Sequence, residues 1–138
     1  MQQLLNRPEL TKPETNLDDV FIILCASGLK NLPRVRSALM FASLAASANY
    51  RTILYCIQDA VEVMVKGAVE KVRETEQGVP TVAQRLEEAL DAGVEIQCCT
   101  QTMANKKIVE EDLLAGVKPA GAMTLIALTS TARGTLCF

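Results

Sequence analysis

A single α/β domain, built on a mainly parallel sheet of about five strands with helices on both faces, is the fold class this sequence predicts. Three observations predict it. Short apolar runs rich in β-branched residues ("VFIIL", "TILY", "VEI") recur along the chain and read as strands buried on both faces. Segments with apolar residues at helical spacing separate them, and such alternation implies parallel strands joined by helical crossovers. The length, 138 residues, suits one domain with its own core rather than two.

Residues 1–19 hold Pro8, Pro13 and scattered charge without a sustained period, so they read as an N-terminal extension, and residues 20–138 as the domain. Its first strand is the apolar run Val20 to Cys25, ending at Ser27-Gly28. In "NLPRVRSALMFASLAASAN", Asn31 suits a cap and Pro33 the first turn, while Val35, Ala38, Leu39, Ala42 and Ala46 recur on one helical face up to Asn49. "RTILYCIQ" reads as the second strand. Asp59 and Glu62 form a capping-box pair for a helix through Val72, because Val61, Met64, Val65, Ala68, Val69 and Val72 keep a helical rhythm, with Gly67 as an interruption or kink. "RETEQGVP" is a loop. Thr81 and Gln84 make a second capping box before a helix carrying Val82, Leu86, Ala89 and Leu90 on one face, and Gly93 closes it. "VEIQCC" is the third strand. After a polar stretch, "VEEDLLAG" reads as a short helix with its acidic residues at the positive end. A short strand around Val117, a last helix in "GAMTLIALTSTARG" and a terminal strand in "TLCF" complete the chain. The architecture expected is flavodoxin-like in the broad sense.

Composition excludes several function classes. Apolar residues are 49 % of the chain and aromatics 4 %, so the core is expected to be mostly Ala, Val, Leu and Ile. A net charge of −2, from 14 basic and 16 acidic residues without a long run of either sign, argues against nucleic acid as an electrostatically driven partner. No segment approaches the roughly 18 uninterrupted apolar residues of a membrane span, and the N-terminus lacks a secretory pattern, so the expected location is the cytoplasm. The five cysteines are odd in number and fit no secreted framework, and in a reducing cytosol they are expected to be thiols.

The absence of histidine removes Ser-His-Asp and Cys-His catalysis and any histidine-containing metal site. The chain contains no G-x-x-x-x-G-K-[ST], no G-x-G-x-x-G and no C-x-x-C, and the single-glycine turn "ASGLKN" is a feature of most α/β domains. No metal site is expected, since neighbouring residues on a strand point to opposite faces, which keeps Cys98 and Cys99 from gripping one ion. A thiol nucleophile remains. Ligands of open α/β sheets collect outside the carboxyl ends of the strands, where Cys25, Cys56 and the Cys98–Cys99 pair all stand. Cys25 and Cys56 read as small core residues and Cys137 as shielded within the terminal strand. For Cys98 and Cys99, a reactive thiol with a helper and two packed side chains both stay open. Lys106 and Lys107 are the nearest cations in sequence that would favour a thiolate, although loop lysines are ordinarily solvated.

The segments "FIILCASGL", "ALMFASLAASA", "TILYCIQDAVEVMVKG" and above all "GVEIQCCTQTMANKKIVEEDLLAGVKPAGAMTLIAL" together resemble the DsrE/DsrF-like sulfurtransferase family, with its TusD/DsrE-type persulfide carriers, over residues 20–138. The most specific part runs through Cys99, Thr102, Met103, Ile108, Asp112, Leu113, Gly116 and Val117. The resemblance implies that Cys99 carries sulfur as a persulfide. Cys98, where many relatives have a small apolar residue, would then be an auxiliary thiol. It further implies sulfurtransferase activity without metal, nucleotide or organic cofactor, and exchange with a TusA-type or other sulfur-carrier protein. Assembly is expected as a homotrimer or homohexamer through the final helix or the 61–72 helix. Two other readings stand beside it: a small-ligand-binding module using the strand-end crevice, and a non-catalytic subunit of a hetero-oligomeric sulfurtransferase.

Overall fold

The structure, a computed structural model, describes residues 16–138. Strands β1 (Asn16–Cys25), β2 (Tyr50–Cys56), β3 (Glu95–Cys99), β4 (Lys118–Ala120) and β5 (Gly134–Cys137) form one sheet in the order β4-β3-β2-β1-β5. Every neighbouring pair is parallel. Helices α1 (Leu32–Ser47), α2 (Asp59–Val63), α3 (Val82–Asp91), α4 (Thr100–Asn105) and α5 (Ala122–Thr131) connect the strands. The α/β class and the parallel sheet are therefore as the sequence predicts. β1 begins at Asn16, with an irregular register between Asn16 and Val20; the rest of the expected N-terminal extension, residues 1–15, lies outside the described residues. Among the described residues, no helix is long and apolar enough to cross a membrane.

Strand alternation divides the core in two. On one face, Ile23 and Cys25 of β1, Leu54 and Cys56 of β2, and Ile96 and Cys98 of β3 pack against Val35, Ala38, Leu39 and Ala42 of α1 and Leu86 and Ala89 of α3. Small alanines let α1 lie close to the sheet. Asn31 caps it as expected, its Oδ1 accepting from the Arg34 N–H at 3.4 Å. The Thr81–Gln84 capping box of α3 forms in both directions, at 3.1 and 2.8 Å. Gly93, at φ +90°, ends that helix in the left-handed region that glycine tolerates.

Arg36 sits on the buried side of α1, only 7 % exposed. Its guanidinium donates to Glu74 at 3.0 Å and to Glu76 at 2.5 Å. Glu74 in turn accepts from the Val82 N–H at 2.9 Å, which ties the 73–81 loop to the start of α3. Removing one member strands a charge in a poorly hydrated place. Glu74→Ala is expected to lower the unfolding free energy by about 2 kcal/mol, short of the loss for a fully interior pair because Glu76 remains half-exposed. Urea melts of the two proteins at equal concentration check this, and coincident midpoints would refute it.

Two expected helices are not formed as read. The segment from Asp59 is helical only to Val63. Beyond it, Val65 bridges to Leu113, the Lys66 N–H donates to Asp112 O at 2.8 Å, and the Leu114 N–H donates to Met64 O at 2.9 Å. The backbone of 64–66 thus pairs with 112–114 instead of with itself, and Gly67, at φ +81°, turns the chain away. The apolar rhythm was sound as a burial pattern, since Val61, Met64 and Val69 are buried. The Asp59–Glu62 capping box does not form, because both carboxylates take the Lys106 ammonium, at 3.4 and 2.5 Å. Because 112–114 pairs with 64–66, "VEEDLLAG" is only a short 3-10 turn at Glu110–Asp112.

The other sheet face is thinly covered. Val20, Ile22, Ile53, Tyr55 and Cys99 are buried there, under Leu125 and Leu128 of α5 and Ala132. α5 has to cross from β4 at one edge to β5 at the other. Ten residues of helix rise about 15 Å, whereas four strand spacings cover roughly 19 Å, so one helix cannot roof the face. None of its residues is buried, and Met123 and Ile126 remain 76 % and 60 % exposed. Cys137, expected to be shielded, is exposed. It pairs with Leu24 on a strand that, among the described residues, has a neighbour on one side only.

Candidate functional site

The third strand ends in the paired cysteines, and the chain enters α4 at the next residue. Cys98 lies beside Cys56 and Cys99 beside Ala120 in the strand register. Alternation sends the two thiols to opposite faces. Cys98 is fully buried in the α1/α3 side of the core, and Cys99, on the α5 side, retains 8 % exposure.

Cys99 stands at the N-cap position of α4 in an extended conformation (φ −60°, ψ 121°), with no side-chain cap hydrogen bond of its own, at the end of the helix whose first N–H groups have no partner within it. Burial alone would push this thiol up. The Thr102 N–H, the Tyr55 hydroxyl, the Thr102 hydroxyl and the Gln101 N–H outweigh it and hold the thiol below its ordinary value. Thr102 is buried, and its hydroxyl oxygen accepts from the Gln58 N–H at 3.2 Å. That contact leaves its own proton for the sulfur. Gln58 makes the contact from φ +52°, a left-handed conformation that a non-glycine residue adopts at a cost. Tyr55 is fully buried, and its hydroxyl lies 2.9 Å from Ala120 O.

The other predicted residues fall elsewhere. Cys25, Cys56 and Cys98 occupy one register row on three adjacent strands, all on the same face. Burial pushes Cys25 up, and the hydrogen bond to Cys98 together with burial pushes Cys56 up, the direction expected of packed thiols. Cys98 therefore faces Cys56 rather than Cys99. Lys106 is held by Asp59 and Glu62, Lys107 is exposed, and neither is among the groups that stabilise the Cys99 thiolate. Among the described residues, no three His, Cys, Asp or Glu side chains converge as a metal site would require. A recess of about 490 Å³ at the strand ends is lined by Leu29, Lys30, Asp59, Glu62 and Lys106.

Tyr55 and the whole of α4 escape a reading of the sequence. Tyr55 sits in a β-rich run where an aromatic is ordinary, and α4 has only Met103 and Ala104 as apolar residues. The usable signal was Thr102-Met103 directly after the cysteines, two buried residues of which Met103 packs with Cys98 in the core on the other face.

With iodoacetamide on the native chain, Cys99 and Cys137 are expected to react, Cys99 from its stabilised thiolate and Cys137 from its exposure. Cys25, Cys56 and Cys98 should react only after unfolding. Peptide mapping reads the pattern directly, and labelling of Cys98 as fast as Cys99 would contradict the opposed orientation.

The model of the DsrE/DsrF-like family matches residues 19–138. The chain belongs to this family. Among curated proteins, it is 26 % identical over 112 residues to the uncharacterized protein MJ0760 of Methanocaldococcus jannaschii, a match that takes in 81 % of this chain and 40 % of that protein. The chain thus spans about two fifths of that relative's length. Of solved structures, the ychN protein from E. coli superposes with a TM-score of 0.71 at 20 % identity, over 87 % of this chain and 99 % of that one. A protein of unknown function from Bacteroides thetaiotaomicron, BT1422, gives 0.62 at 14 % identity over 88 % and 96 %. MTH1491 from Methanobacterium thermoautotrophicum, also of unknown function, gives 0.61 at 16 % over 87 % and 98 %. At these identities the superpositions establish the DsrE-like fold and nothing about activity.

Proposed function

We propose that this DsrE/DsrF-like protein is a cytoplasmic sulfur-relay protein that accepts sulfane sulfur on Cys99 and passes it to the thiol of a carrier protein of TusA type. Family membership supports a role in sulfur relay. The observation that carries the finer reading is a slightly accessible thiol at the start of α4 that neighbouring N–H and hydroxyl groups hold below its ordinary value against the effect of burial. A thiolate is the form that attacks, and the same donors serve an ionised persulfide after loading.

In loading, the Cys99 thiolate attacks the outer sulfur of a donor persulfide R–S–SH. A sulfur–sulfur bond forms to Cys99, the bond between the donor's two sulfurs breaks, and R–S⁻ leaves with the electron pair. The outer proton stays on the new Cys–S–SH or passes to water. In unloading, an acceptor thiolate attacks that outer sulfur and Cys99 leaves as thiolate. No net oxidation occurs, so neither step calls for an external oxidant, and Cys98, facing Cys56, contributes packing.

The α5 face supports assembly. Met123 and Ile126 stand in water on a helix with no buried residue, and burying such side chains is favourable. We take the working form to be a homotrimer closed through this face. The ligand-binding alternative has the strand-end recess in its favour, but Asp59 and Glu62 already neutralise Lys106 there. Exposure to polysulfide or to a persulfidated carrier, followed by peptide mass spectrometry, tests the relay reading; a chain that gains no sulfur at Cys99 under either donor would end it.

A further inference from the structure

The Tyr55 and Thr102 hydroxyls both act on the Cys99 thiol, Tyr55 from within the same buried cluster, and they differ in what else they touch. Thr102 accepts from the Gln58 N–H, which leaves its own proton available to the sulfur. Tyr55 accepts no hydrogen bond from the backbone; its oxygen lies 2.9 Å from the carbonyl of Ala120, the residue beside Cys99 in the strand register. A phenol has one proton to give. Tyr55 therefore has two acceptors, the Ala120 carbonyl and the Cys99 sulfur, and satisfies one of them at a time.

We propose that Tyr55 is a positioning residue whose hydroxyl proton follows the charge on Cys99: toward the sulfur when it is a thiolate or an ionised persulfide, toward the Ala120 carbonyl when it is neutral. The persulfide half of this rests on the sulfur-relay reading; the thiolate half does not. With a neutral thiol, Cys99 S–H donates to the Tyr55 oxygen while Tyr55 donates to Ala120. Ionisation removes the first donor, and the hydroxyl turns. Only the O–H rotates. The ring is fixed by full burial among Val20, Ile22 and Ile53, so the choice between acceptors does not cost a side-chain rearrangement.

The surroundings leave this proton without a competing charge. On β2 the titratable neighbour is Cys56 and on β3 it is Cys98, both turned to the opposite face. The six residues of α4 and the ten of α5 contain no titratable side chain. β4 contributes Lys118, two residues before Ala120, exposed and outside the set of groups acting on the sulfur. Among the described residues no formal charge is among the main groups acting on Cys99, so burial and hydrogen bonds set its ionisation. The carbonyl that Tyr55 releases belongs to the residue before Gly121, the cap of α5. The charge state of Cys99 is thereby felt where β4 hands the chain to the exposed helix.

The test uses the full chain in a Cys137→Ser background, so that the exposed thiol does not compete. The rate of Cys99 alkylation is followed against pH with and without Tyr55→Phe. Loss of one donor to an anionic sulfur is expected to move the midpoint upward by about one pH unit, a tenfold change in the ionisation constant. Coincident profiles would overturn the proposal. A second readout spares the site. The chain has two tyrosines and no tryptophan, so Tyr50→Phe leaves Tyr55 as the only tyrosine emitter. Its emission is expected to change with the same midpoint as Cys99 alkylation and to lose that transition in Cys99→Ser. Emission indifferent to the ionisation of Cys99 overturns the proposal even if Tyr55→Phe fails to fold. The two readings separate cleanly: a Cys99 that titrates with Tyr55 but takes up no sulfur removes the relay and leaves the proton exchange standing. Sulfur uptake with unshifted profiles does the reverse.

Discussion

Cys99→Ser is expected to abolish sulfur loading, the largest effect of any single substitution in this chain. Native protein incubated with polysulfide should gain about 32 Da per sulfur, one persulfide, and lose it on treatment with thiol reductant. Serine keeps the shape of the site and its hydrogen-bond donors, but a hydroxyl near neutral pH is neither ionised nor able to form the persulfide. Cys98→Ser, by contrast, should load, because Cys98 points into the opposite core; its expected cost is in stability, since a hydroxyl is placed among buried apolar side chains. Transfer to a carrier thiol should follow loading in both variants. Loading that persists in Cys99→Ser and maps to Cys137 would reassign the site to the exposed edge thiol. Mapping to Cys25 or Cys56 would mean that the sheet opens far enough for core thiols to react.

The second large effect concerns mass in solution. Three chains of 15.0 kDa make a trimer of about 45 kDa, the form expected from light scattering at micromolar concentration. Ile126→Glu should shift the protein toward a single chain. The side chain is 60 % exposed in the isolated subunit, so the substitution costs the fold little, whereas a carboxylate buried without a partner at an apolar contact costs several-fold to orders of magnitude in association. The same exchange at Val109, which is 55 % exposed and far along the chain from α5, should leave the mass unchanged. A wild-type mass near 15 kDa, or equal masses for wild type and Ile126→Glu, would refute assembly through this face.

Most of the fold was legible because runs and caps spoke for themselves. "FIIL" and "TILY" are continuous apolar segments that only a two-sided sheet buries, and the Thr81–Gln84 capping box fixed the start of α3 by its own hydrogen bonds. The 59–72 segment misled because periodicity reports burial, not backbone pairing; Val65 and Leu113 are distant in sequence, and their bridge has no local signature. Cys137 misled for a related reason, since an apolar neighbourhood in sequence does not disclose that β5 is an edge. Cys99 was singled out by the spacing that resembles the family's motif, but its environment was not legible. Tyr55 reaches the sulfur only because β2 lies beside β3 in a particular register, and register is set by long-range packing. Alternation alone did foretell that Cys98 and Cys99 would part company.

If Cys99 carries sulfur as proposed above, that parting has a consequence for how a chain with five thiols would keep a labile atom in one place. A persulfide exchanges with any thiolate that touches its outer atom, so crowded cysteines invite scrambling within the molecule. Here the hydrogen-bonded sheet itself is a partition: Cys25, Cys56 and Cys98 stand behind it, and Cys137, on the near side, is three strand intervals away from β3, roughly 14 Å. An atom lodged on Cys99 has no internal thiol to escape to, and it waits for one brought from outside.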